Sequence, residues 1–201
     1  LREITYRSIN TAFVRLQGEV GICRVKEVAE KLGVHLGNPT AVDQPDQKTS
    51  DQLRPYGSLT LGTEPIAPLA MASAYAAFAA DGVYCPPVTI TDARILGGQQ
   101  IQLPKPSCNQ ALPENVARGV TTALQDVLDR GTAQGQGIGR PAAGKTGTTD
   151  DYNAVWFAGY TPNLAAAVWA GDPDAPQRYP MSNVTINGNY YTYVFGSSIP
   201  G

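Results

Sequence analysis

The last third of the chain constrains the fold most. Three strand-like runs, Ala142 to Thr149, Ala154 to Tyr160 and Leu164 to Ala170, follow one another with only short breaks between them. Thr161-Pro162-Asn163 makes a tight turn between the last two. An antiparallel sheet follows from that order, and whatever precedes it must cover one of its faces.

What precedes it reads mainly as helix. Ala12, Phe13 and Leu16 recur at helical spacing from Asn10 to Leu16, with Ser8 and Asn10 placed where a helix start takes side-chain caps. Val25, Val28, Ala29 and Leu32 share one face of a second helix over 24–32, closed by Gly33. Pro68 and Gly82 bracket the Ala-rich segment 66–81, nearly all small or apolar and so expected to be buried. A fourth helix spans 114–129, with a stripe of Val116, Val120, Leu124, Val127 and Leu128 and Gly131 at its end. Between these, 37–56 is rich in Asp, Gln, Pro and Ser and reads as a surface loop. Val88 to Leu96 and Gln99 to Leu103 read as a hairpin about Gly97-Gly98. Helices first and an antiparallel sheet last predict an α+β domain in which helices cover a sheet.

Charge and composition narrow the function classes. With 42% hydrophobic and 16% charged residues the 201-residue chain is globular, one domain or a large part of one. A net charge of -2 without a Lys/Arg cluster argues against nucleic acid as a partner. The longest apolar stretch, Ile66 to Ala80, is too short to span a bilayer, and the first residues do not read as a signal sequence. Cys23, Cys85 and Cys108 lack the paired spacings of a zinc or redox site, so no metal and no cofactor is expected. His35 has no nucleophile or second ligand beside it and reads as solvated or packed.

Two short motifs carry chemistry. Gly144-Lys145-Thr146-Gly147-Thr148-Thr149 lies in the first of the three strands, and Ser8-Ile9-Asn10 lies far upstream on the turn entering a helix. A lone Lys-Thr-Gly is weak, as Lys48-Thr49-Ser50 in the polar loop shows, and Ser8 with Asn10 could be helix capping alone. Together, and in this order, they resemble the KTG and SxN motifs of penicillin-binding proteins. The resemblance is broader than the motifs. Leu61-Gly62-Thr63 with the Ala-rich helix after it, Gly139 to Thr149, and Trp156 to Pro162 are similar to class A, bifunctional penicillin-binding proteins. So is the closing Phe195 to Gly201, with an actinobacterial flavour.

That resemblance implies the penicillin-binding protein and serine β-lactamase-like transpeptidase fold, incomplete at its N-terminal side. It also implies serine acyl transfer on D-Ala-D-Ala stem peptides of peptidoglycan, with β-lactams as mimics, at an extracytoplasmic location. The catalytic residues it implies are Ser8, Asn10 and Lys145. Ser8 would relay a proton to the leaving amine with help from Lys145, and Asn10 would hold a substrate amide. Thr146, Gly147 and Thr148 would bind substrate: hydroxyls and charge for its carboxylate, room for its backbone, and the Thr148 N–H as an oxyanion donor. Gly131-Thr132 and Leu61-Gly62-Thr63 either line the cleft or serve only as helix ends and turns.

The departure is the nucleophile. Ser8, Ser50, Ser58, Ser73, Ser107, Ser182, Ser197 and Ser198 all lack the Lys three positions later that the family's SxxK motif requires. The expectation is therefore a partial domain over 1–201, inactive alone, whose remaining part, with a membrane anchor, precedes Leu1. A serine β-lactamase and a non-catalytic penicillin-recognising domain are the competing readings. In an exported protein a Cys85–Cys108 disulfide is expected, since a turn at Gly97-Gly98 sets the two nearly opposite. Cys23 would then be a small buried hydrophobe, and three free thiols the alternative.

Overall fold

The structure, a computed structural model, describes residues 1–37 and 52–201. The chain runs α1 (Arg2–Tyr6), α2 (Asn10–Val20), α3 (Ile22–Lys31), a 3-10 turn (Leu59–Leu61), α4 (Pro68–Ala79), β1 (Val83–Tyr84), β2 (Asn109–Gln110) and α5 (Glu114–Arg130). It continues through β3 (Ala143–Thr148), β4 (Ala154–Thr161), β5 (Leu164–Gly171), β6 (Ser182–Ile186) and β7 (Asn189–Tyr193). The expected α+β architecture is present. Most of the loop read over 37–56, with Lys48-Thr49-Ser50, lies outside the described residues.

The central sheet has the order β3-β4-β5 and is antiparallel throughout, from Ala143↔Tyr160 to Thr148↔Val155 and from Ala154↔Gly171 to Thr161↔Leu164. Leu124 of α5 packs with Ala143 and Tyr160, joined by Tyr75 and Phe78 of α4. Further along α5, Val127 and Leu128 pack with Ala133, Tyr6, Ala142 and Phe157. The small side chains of α4 explain its close seat on the sheet: Ala70, Ala74 and Ala77 are buried at helical spacing. Leu69 on the same helix is 55% exposed, so α4 is buried on one face and not all round.

Several expectations need correction. Val116 is exposed, and Ala117, fully buried, takes its place on the inner stripe of α5. The hairpin read over 88–103 reduces to one bridge, Arg94↔Gln100, about the Gly97-Gly98 turn. Pro86, Pro87, Pro104 and Pro106 have no N–H to give a ladder, and Val88, Ile90 and Ile101 find no face to bury. The paired strands are instead β1 and β2, and the Cys85–Cys108 disulfide continues their register one step beyond Tyr84↔Asn109. Cys23 is exposed on α3, whose inward positions belong to Ile22, Val25 and Ala29. A further hairpin and a short helix also have no counterpart among the sequence expectations. The hairpin β6–β7 closes on Asn187-Gly188, both at positive φ, the pairing that two-residue hairpin turns favour.

The other is α1, which is too short to hold itself. It is pinned through Asp126 of α5, which is 3% exposed. Arg2 grips this carboxylate with Nε at 2.6 Å and Nη2 at 2.8 Å, and Arg130 adds Nη2 at 2.6 Å. Hydrogen bonds from Arg2, then from Arg130, lower the Asp126 pKa from the usual carboxylate range to about 2. A carboxylate held below its unfolded value stabilises the fold fully above the ordinary range and loses that contribution as the pH falls towards 2. Urea midpoints of the wild type and Asp126→Asn are therefore expected to differ at pH 7 and to converge near pH 2. An unchanged gap at both pH values would remove Asp126 as the anchor of α1.

Candidate active site

Ser8 occupies an unusual backbone position. The N–H of Ser8 bonds Thr5 O and that of Ile9 bonds Ile4 O, the paired bonds that end a helix with one residue in the left-handed region. That residue is Ser8, at φ 55°, where glycine is the common choice. Holding an L-residue there costs about 1–2 kcal/mol. Ser8 thus closes α1 and does not cap α2, whose N-cap is Ile9 without a side-chain cap bond. Asn10 opens α2, is exposed, and its carboxamide makes no hydrogen bond among the described residues.

The turn presents Ser8 to β3. Lys145 Nζ donates to Ser8 Oγ at 2.8 Å and to Thr146 O at 2.9 Å. No carboxylate pairs with Lys145 among the described residues, and burial lowers its pKa from the usual lysine range to about 8. About a tenth of the lysine is then neutral at pH 7, so one side chain can hold a positive charge or carry a proton. Ser8 and Lys145 are brought together across a sequence separation of 137 residues.

Two threonines extend the site along β3. Thr146 Oγ1 lies 2.6 Å from Thr132 Oγ1, just past the end of α5. Gly131 makes that approach possible: a Cβ there would lie 2.5 Å from Tyr6 O, the carbonyl that accepts the Thr132 N–H at 3.0 Å. Thr148 Oγ1 accepts the N–H of Gly196 at 3.1 Å. Thr149 N–H bonds Ala154 O, so by the two-residue alternation of an antiparallel ladder the N–H groups of Thr146 and Thr148 point off the other edge of β3. Gly147 leaves that stretch without a side chain.

Other singled-out residues lie elsewhere. Leu61-Gly62-Thr63 forms a turn fastened by a 2.8 Å bond between Ser58 and Thr63, and no described hydrogen bond joins it to Ser8 or Lys145. His35 is exposed and donates from Nδ1 to Gly33 O at 2.8 Å. Among the described residues no group of three His, Cys, Asp or Glu could hold a metal, and no helix is long and apolar enough to cross a membrane. The role of Gly196 has no local sequence signal, because nothing in Val194 to Ser197 shows which strand the tail will touch.

Known proteins share the sequence pattern and the fold of this chain. Residues 1–182 match the family model described as the penicillin binding protein transpeptidase domain. Penicillin-binding protein 1A of Aquifex aeolicus is 37% identical over 172 residues, 85% of this chain and 22% of that protein. Penicillin-binding protein 1A of Mycolicibacterium smegmatis is 32% identical over 209 residues, 100% of this chain and 26% of its own length. The chain therefore spans about a quarter of the length of these relatives. Among solved structures, PonA1 of Mycobacterium tuberculosis in complex with penicillin V superposes with a TM-score of 0.76 at 29% identity, covering 100% of this chain and 53% of that one. An imipenem acyl-enzyme of penicillin-binding protein A from the same organism gives 0.69 at 25% identity, covering 85% of this chain and 42% of that one.

The left-handed Ser8 makes a stability prediction independent of chemistry. Ser8→Gly and Ser8→Ala both remove the hydroxyl bonded to Lys145, but only glycine relieves the backbone. Ser8→Gly is expected to be the more stable by about 1 kcal/mol. Equal melting temperatures would show that the turn carries no such strain.

Proposed function

Since the chain belongs to the penicillin-binding protein transpeptidase family, with class A relatives of the 1A type, we propose that it forms part of a DD-transpeptidase that cross-links peptidoglycan. The observation that carries the proposal is the 2.8 Å bond from Lys145 to Ser8, which unites the family's two motifs at one reacting centre. The donor is a stem peptide ending in D-Ala-D-Ala. A serine oxygen adds to its penultimate carbonyl, the C–N bond breaks, and D-Ala leaves as the amine. An amine of a second stem peptide then takes the acyl group. A β-lactam follows the same first step, but its leaving amine stays tethered.

Each residue has a physical part in that cycle. The leaving nitrogen needs a proton, and the Ser8 hydroxyl, fed by Lys145, lies on a path that can deliver it. The Lys145 charge and the Thr146 and Thr148 hydroxyls suit the terminal carboxylate. Gly147 lets the substrate backbone lie along the edge of β3, where the Thr148 N–H points outward as an oxyanion donor worth about 3 kcal/mol. The open carboxamide of Asn10 offers one donor and one acceptor to a substrate amide. The attacking serine is assigned outside these 201 residues, because no serine here has a Lys three positions later, the spacing by which the family activates its nucleophile. A domain over 1–201 completed by preceding sequence, anchored in the membrane and working outside the cytoplasm, belongs to the same proposal.

The test uses the full-length protein that contains this chain. Ser8→Ala and Lys145→Ala are each expected to slow acylation by benzylpenicillin by about 10²–10⁴-fold, the range of general acid–base catalysis, while leaving thermal melts little changed. The 201-residue chain alone is expected to give no covalent adduct by intact mass. Wild-type acylation rates in either variant would remove that residue from the mechanism, and a stoichiometric adduct on the isolated chain would place the nucleophile within it.

A further inference from the structure

Gly196 lies in the tail after β7, buried against the end of β3. Its N–H donates to Thr148 Oγ1 at 3.1 Å. A Cβ built on it would collide with Trp156 O and would stand 2.6 Å from Gly147 O and 2.9 Å from Gly147 N. Only glycine lets the tail lie this close to the β3–β4 backbone.

The tail is held there from behind. Met181 N–H bonds Tyr152 O at 2.7 Å and Val194 N–H bonds Met181 O at 2.9 Å. Val194 is fully buried, Tyr193 stacks on Tyr152 at 4.5 Å, and Phe195 meets the same ring edge-on at 5.5 Å. The next turn is closed by Ser198 Oγ, which accepts the Phe195 N–H at 2.8 Å. These contacts fix Gly196 at a set height above Thr148.

A threonine hydroxyl has one proton and two lone pairs, whereas a backbone N–H can only donate. With one Oγ1 lone pair taken by Gly196, the Thr148 proton cannot be spent on that partner and must go to another acceptor. Thr148 is exposed, so that acceptor is a ligand or solvent. We propose that Gly196 is a positioning residue that makes the Thr148 hydroxyl an outward donor and so sets the site's preference for ligands bearing a carboxylate. The inference rests on the transpeptidase reading above and adds to it a residue outside both motifs. It concerns which ligand is chosen, not the acyl-transfer step.

The experiment compares second-order acylation of the full-length protein by benzylpenicillin and by its methyl ester, which lacks the carboxylate charge. The wild type should favour the free acid. Gly196→Ala must push the tail off β3, and the acid-to-ester preference is expected to fall about tenfold, the scale of one hydrogen bond to a charged group. Thr148→Val should lower the preference to a similar degree, and the double variant should lose little more. A general loss of structure would slow both ligands alike and leave the ratio unchanged, and that result overturns the proposal. Should Gly196→Ala fail to fold, Ser198→Ala loosens the same turn without adding bulk. It is expected to lower the ratio in the same direction, and an unchanged ratio there also counts against the idea. A wild type that acylates and a Gly196→Ala that keeps its preference would sink this inference alone. A wild type that never acylates would sink the transpeptidase reading itself.

Discussion

The hydrogen bond from Lys145 to Ser8 joins groups 137 residues apart and is satisfied only if α1, α5 and β3 are all in place. Ser8 is held by the end of α1, α1 is held by the Arg2–Asp126–Arg130 cluster, and α5 is held to β3 by Leu124, Val127 and Ala143. Each link carries the position of the next. The left-handed backbone at Ser8 is the visible cost, since strain of this kind persists only where the surroundings over-determine it.

The same geometry explains why one lysine can serve two tasks. A fully solvated lysine would be charged throughout the neutral range and would transfer protons poorly. Burial, with no carboxylate partner among the described residues, brings its pKa down to about 8, near enough to neutrality for both forms to be populated. An acidic partner would hold the charge on and remove the second task. In the proposed mechanism Thr146 and Thr148 extend the recognition surface, and each is tied to a different outside element: one to Thr132 beyond α5, the other to Gly196 in the tail.

Much of this was legible in the sequence, for reasons that differ by element. The three strands, α3 and α5 announce themselves by period and end signals, and the Cys85–Cys108 bridge by counting outward from a turn. Alternation over 88–103 suggests a hairpin, but Pro86, Pro87, Pro104 and Pro106 flank it and cannot extend a ladder from the turn towards β1 and β2. The Asn187-Gly188 turn of β6–β7 is a local hairpin signal in the sequence. Helix α1 was not readable locally, because five residues form a helix only with Asp126 supplied from 124 residues away. Ser8 and Lys145 were found by motif, but that Ser8 ends a helix and does not begin one depended on α1. Val116 and Ala117 differ by one position, and the exact facing of α5 was a matter of tertiary packing.

The central claim is that Ser8 and Lys145 act as one unit in acylation. A double-mutant cycle on the full-length protein, reading second-order acylation by benzylpenicillin for Ser8→Ala, Lys145→Ala and both together, tests it most directly. The account predicts strong non-additivity, with the double variant little slower than the worse single variant. Losses that multiply as though the two residues were independent would contradict it.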